Sequence, residues 1–184
     1  APVVDINNNP LNPVISNRSF GEDKYNVTRK AAMYMKGMQD YGVLANAKHF
    51  PGHGDTDSDS HKTLPTVKSS RERLDTLELY PFKQLIAQGL GSMMVAHLFI
   101  PAYDTTTNQA STLSNKVVTD LLKDTLGFKG LVFTDALNMK CVSKFYTPGE
   151  ASLTALLAGN DGLLFAEDVL KAIEEIKAAI VRGE

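Results

Sequence analysis

Five times along 184 residues a short apolar run gives way to a stretch of helical periodicity, and this alternation limits the fold more than any other feature. The strand candidates are residues 3–6, 43–50, 92–100, 130–134 and 162–165. The helical stretches are residues 22–41, 78–88, 115–126, 148–158 and 167–182. In the first of these, Val27, Ala31, Tyr34, Met35 and Met38 recur at spacings of three and four. Asp23 suits the start of that helix and Gly42 its end. Ser69 or Ser70, and then Ser114, are candidate caps for later helices, and Pro81 belongs near a first turn. Strands that alternate with helices pair in parallel through right-handed crossovers. Two architectures satisfy that rule, an open doubly wound sheet and a (β/α)8 barrel. Five units are too few to close eight strands, so a barrel requires about three units outside this chain.

Charge and composition remove several function classes. Nineteen Lys and Arg stand against 21 Asp and Glu, a net charge of −2, which argues against nucleic-acid binding by a basic face. No apolar run is long enough for a membrane span. A single cysteine, Cys141, cannot make an internal disulfide and leaves the redox compartment open. The chain opens on Ala1-Pro2-Val3-Val4-Asp5, which reads as the interior of a strand and suggests part of a longer polypeptide. Without a true N-terminus, the lack of a leader sequence carries no information about compartment.

Both architectures place the functional site in the loops that follow the C-terminal ends of the strands. The polar residues gather there. Asp135 directly follows the fourth strand, Lys48 and His49 end the second, Arg18 lies in the loop after the first, and His97 is near the end of the third. The densest segment is Gly52-His53-Gly54-Asp55-Thr56-Asp57-Ser58-Asp59-Ser60-His61.

Three readings of that segment compete. Asp55, Asp57 and Asp59 have the alternate spacing of a calcium loop, but Ser60 stands where glycine is needed and Thr66 where glutamate is needed. Zinc ligation by His49 and His53 would want a helix between them, which Pro51-Gly52 prevents. Phosphate binding would want a Gly-Lys-Ser/Thr continuation, which is absent. Acid/base catalysis is the third reading. Asp59 and His61 are two apart, so in extended chain they face the same side, and the carboxylate can orient and charge the ring. Asp135 would then be a separate nucleophile, which is the division of labour in retaining glycosidases. The plain alternatives are a solvated loop histidine and an aspartate that merely caps a helix.

The segment Lys48-His49-Phe50-Pro51-Gly52-His53-Gly54-Asp55-Thr56, followed by Asp59-Ser60-His61, resembles the signature of family 3 glycoside hydrolases of the β-N-acetylglucosaminidase type. Asn12-Pro13-Val14-Ile15-Ser16-Asn17-Arg18-Ser19-Phe20-Gly21 resembles that family's preceding loop, and Phe133-Thr134-Asp135-Ala136-Leu137 its nucleophile segment. The resemblance implies a TIM (β/α)8 barrel, with residues 1–184 as part of one catalytic barrel domain whose N-terminal strands are missing. It implies removal of terminal, non-reducing β-linked N-acetylglucosamine from glycoconjugates such as peptidoglycan fragments or chito-oligosaccharides. By motif position Asp135 would be the nucleophile, His61 the general acid/base and Asp59 its dyad partner. Arg18, Lys48 and His49 would bind sugar hydroxyl groups. The expected partners are a carbohydrate substrate and the missing N-terminal barrel segment of the same polypeptide, and no metal or other cofactor is called for. A further sugar-binding aspartate of the family has no counterpart here. A β-glucosidase-type or phosphorylase member of the same family and an inactive sugar-binding fragment are the competing readings.

Overall fold

The computed structural model describes residues 1–56 and 63–184. Three strands form a parallel sheet in the order β1 (Asn46–Phe50), β2 (Ser92–Val95), β3 (Leu131–Thr134). Two further parallel bridges extend it at both sides. Val3 pairs with Lys48 next to β1, and Gly162 pairs with Phe133 next to β3. Each expected strand position therefore neighbours the next one in sequence. A doubly wound sheet reverses its strand order at a switch point. This sheet never reverses, so the architecture is a partial (β/α)8 barrel.

The strands are shorter than their apolar runs. Val43 and Leu44 are exposed and precede β1, and β2 ends at Val95 although the apolar run continues to Ile100. Beyond Ala96, whose N–H still donates to Phe50 O, the run leaves the ladder, and Phe99 bridges instead to Thr66 in the loop beyond β1. The first and fifth positions keep one bridge each rather than a full strand.

The helices sit where the periodicity predicts. α1 (Lys24–Asp40) is capped by Asp23, whose side chain accepts from Asn26 N, and buries Val27, Ala31 and Met35. Tyr34 of the expected stripe is instead exposed, while Met38 packs at the edge of the core. Ser70 caps α2 (Arg71–Arg73), which continues through a wider π-type turn (Leu74–Glu78) into α3 (Tyr80–Ala87), with Pro81 in its first turn. The expected helix at 115–126 is coiled as a π-helix (Lys116–Thr125). Ser114 does not cap it, because its hydroxyl donates to Asp104 Oδ2 at 2.5 Å. A short helix not foreseen from the sequence, α4 (Lys140–Ser143), precedes α5 (Pro148–Leu157) and α6 (Val169–Arg182). α5 opens on a capping box between Thr147 and Glu150, and Asp168 caps α6.

The main core lies between the sheet and the helices around it. Ala47 and Phe50 of β1, Met93 and Val95 of β2, and Val132 of β3 meet Val27, Met35, Phe82, Leu85, Val118 and Leu122. Phe50 and Phe82 meet edge to face at 5.4 Å. This core holds the strand ends still, which is what the site above them needs. Among the described residues no helix is long and apolar enough to cross a membrane.

Candidate active site

A cleft of about 210 Å³ lies at the C-terminal ends of the strands. Arg18, Lys48, His49, His53 and Asp135 supply its polar wall, and Val14, Met94, Leu164 and Phe165 its apolar one. Four sequence-chosen residues, Arg18, Lys48, His49 and Asp135, thus come together from the first, second and fourth strand positions. Asp59 and His61 lie outside the described residues.

Asp135 continues β3 by one residue. Its backbone N–H donates to Val95 O at 2.9 Å, and its Oδ1 accepts from Ala136 N at 2.8 Å. Among the described residues nothing hydrogen-bonds its other carboxylate oxygen. Arg18 reaches in from the loop after the first strand, tethered by its Nη1 to Val14 O at 3.0 Å. Its Nη2 is 3.4 Å from His49 Nε2. A guanidinium only donates, so that ring nitrogen accepts and His49 Nδ1 carries the proton.

The partner of that Nδ1–H is Asp5, which the sequence reading passed over. Asp5 is fully buried beneath the cleft. Its carboxylate accepts from His49 Nδ1 at 2.8 Å, from His49 N at 3.1 Å and from His53 N at 2.7 Å. Burial by itself would raise the Asp5 pKa, but its interactions with His49 and His53, the donated hydrogen bonds among them, outweigh it and hold the carboxyl below its usual range. The signal was available: Asp5 is a carboxylate inside the apolar run 3–6, and a buried charge must find partners. His53 is also buried, its ring edge-on to that of His49 at 6.0 Å. Its Nδ1 lies 2.6 Å from Thr56 Oγ1, and burial pushes the imidazole pKa down.

The loop between β1 and residue 56 is built by contact with its neighbours. Asn12 Nδ2 donates to His53 O at 2.8 Å, while its Oδ1 accepts from Val14 N and Ile15 N, so one amide joins the Arg18 loop to the histidine loop. Gly52 has φ +130°, and Gly54 lies so close to Ile6 that a Cβ there would stand 1.9 Å from Ile6 O. Packing thus accounts for both glycines, and nothing of the phosphate-cradle reading is needed to explain them. Arg73 ties Asp55 (3.0 Å) to the buried Glu78 (3.2 Å). Burial raises the Glu78 pKa against the pull of Arg73. Of the supposed calcium loop, Asp55 is engaged by this guanidinium and Asp57 lies outside the described residues. Among the described residues no three His, Cys, Asp or Glu side chains are grouped to hold a metal ion.

The profile of the glycosyl hydrolase family 3 N terminal domain matches residues 1–184. The chain belongs to this family. A β-hexosaminidase A of Pseudoalteromonas piscicida is 40% identical over 171 residues, covering 88% of this chain and 29% of that protein. A β-hexosaminidase of Glaesserella parasuis is 35% identical, covering 96% of this chain and 52% of its own length. The solved structure of a family 3 β-N-acetylglucosaminidase from Paenibacillus is 47% identical with a TM-score of 0.96, over 100% of this chain and 35% of that one. The chain therefore spans between about a third and half of these relatives, and their shared fold confirms the barrel architecture.

Proposed function

We propose that the polypeptide containing this domain is a retaining β-N-acetylhexosaminidase that releases terminal β-linked N-acetylglucosamine. The observation that carries the reading is the meeting of Asp135 with Arg18, Lys48 and His49 in one cleft at the strand ends. The names of the relatives supply the class of sugar.

In this reading an Asp135 carboxylate oxygen attacks the anomeric carbon, and the bond to the leaving oxygen breaks as His61 gives that oxygen a proton. Water then attacks the same carbon, His61 takes its proton, and Asp135 is released. Asp59 would orient and charge the His61 ring from two residues away. Lys48 and Arg18 donate to sugar hydroxyl oxygens, and His49 holds a fixed ring orientation because Asp5 and Arg18 grip both its nitrogens. Residues 1–184 would form part of one catalytic domain completed by other segments of the same polypeptide.

The test is trapping in the full-length polypeptide with a slow 5-fluoro N-acetylglucosaminide analogue, followed by peptide mapping. The label belongs on Asp135, and Asp135→Asn should abolish turnover with the fold intact. A label on any other carboxylate overturns the assignment.

A further inference from the structure

His97 follows β2 and is 1% exposed, beneath the segment that carries Asp135 rather than in the wall of the cleft. Both ring nitrogens have partners. Nε2 is 2.9 Å from Ala136 O, and Nδ1 is 2.7 Å from Thr112 Oγ1. A carbonyl only accepts, so Nε2 carries a proton. Thr112 Oγ1 lies between His97 Nδ1 and Ala96 O. Ala96 O already receives the Ser111 hydroxyl at 2.6 Å, and Ser111 Oγ in turn receives Leu98 N at 3.1 Å. A carbonyl oxygen accepts two hydrogen bonds, so Ala96 O takes the Thr112 hydroxyl as well. The bond to Ala136 O fixes a proton on Nε2, whichever way the Thr112 hydroxyl turns. Burial favours the uncharged ring, against the opposing effect of the nearby Asp135 charge.

The segment after β3 is pinned on either side of Ala136. Asp135 N donates to Val95 O and Leu137 N donates to Leu164 O, both at 2.9 Å. Two pinned residues still allow the peptide planes between them to rock. Ala136 O also receives Met139 N at 3.1 Å, but that is a local turn bond and moves with the segment. The His97 ring is the link from the sheet to Ala136 itself, whose own N–H holds Asp135 Oδ1.

We propose that His97 is a positioning residue for Asp135, acting through the Ala136 carbonyl to hold the carboxylate in its attacking orientation. This rests on the assignment of Asp135 as nucleophile. The experiment compares the wild-type full-length polypeptide with His97→Gln and His97→Asn. Glutamine places an N–H near the Nε2 position and can restore the bond to Ala136 O. Asparagine places its amide near the Nδ1 position and reaches only Thr112.

The readout is the rate of inactivation by the fluoro-sugar at saturation, together with its half-saturation concentration. His97→Asn should slow inactivation by about 10²-fold with little change in half-saturation, the cost of a displacement near 1 Å, whereas His97→Gln should stay within about threefold of wild type. Equal rates for all three proteins, or equal losses in both variants, overturn the proposal. Should His97→Asn not fold, two results still decide. His97→Gln that melts like wild type yet inactivates slowly refutes it, as does a ¹⁵N-histidine NMR spectrum at neutral pH showing no proton on His97 Nε2. Wild-type protein labelled on a residue other than Asp135 would instead overturn the functional reading.

Discussion

Replacing Asp5 with asparagine removes the charge on which the histidine loop is built. The carboxylate takes three donors at 2.7 to 3.1 Å, the N–H groups of His49 and His53 and the His49 ring. Asparagine has one accepting oxygen, and its amide would turn N–H toward N–H at the other side. Two surviving bonds fall from charged to neutral strength, about 1 kcal/mol each, and one buried donor left unmade costs about 1–3 kcal/mol. The loss should therefore be about 3–5 kcal/mol, a large share of the ~5–15 kcal/mol typical of a folded domain. Urea titration of the full-length polypeptide measures it. The pH dependence has a definite sign. The Asp5 carboxyl is more acidic folded than unfolded, so its stabilisation is complete above its ordinary value of 3.8 and is lost as pH falls through the lower folded value. The wild-type and Asp5→Asn proteins should differ by a constant amount from pH 5 to 8 and converge in stronger acid. Steady-state kinetics on an aryl β-N-acetylglucosaminide should show KM rising more than kcat falls, because a neutral amide holds the His49 ring less firmly than the carboxylate does. A stability loss under about 1 kcal/mol would refute the reasoning, because it is less than even one unmade buried bond should cost.

Three shorter expectations accompany it. His61→Ala should slow aryl glycosides with poor leaving groups by about 10²- to 10⁴-fold and those with good ones far less; an equal loss across a leaving-group series argues against proton transfer by this residue. Gly54→Ala should cost about 3 kcal/mol or more in chemical denaturation, since its Cβ would meet Ile6 O, and an unchanged midpoint would disprove the close approach. Thr147→Ala removes the α5 capping box and should cost about 1 kcal/mol while kcat/KM is kept; a loss of activity without a loss of stability would give Thr147 a different role.

The amino-acid sequence by itself determined the local events. Caps at Asp23 and Ser70, the first-turn Pro81 and the buried spacing of Val27, Ala31 and Met35 involve residues within a few positions of one another, so their pattern is legible along the chain. Arg18, Lys48, His49 and Asp135 were legible because each lies at or after the C-terminal end of an apolar run, where parallel α/β folds place their chemistry. Periodicity alone left two architectures open and the family resemblance implied the barrel; the strand order bears that out, since it depends on which distant segments pair. Only the tertiary structure showed that Asp5 grips His49 across 44 residues and that His97 reaches Ala136 across 39. It also took the Ser114 hydroxyl from its helix and gave it to Asp104. Buried polar groups must find partners wherever the fold brings them, and that search is settled by long-range packing.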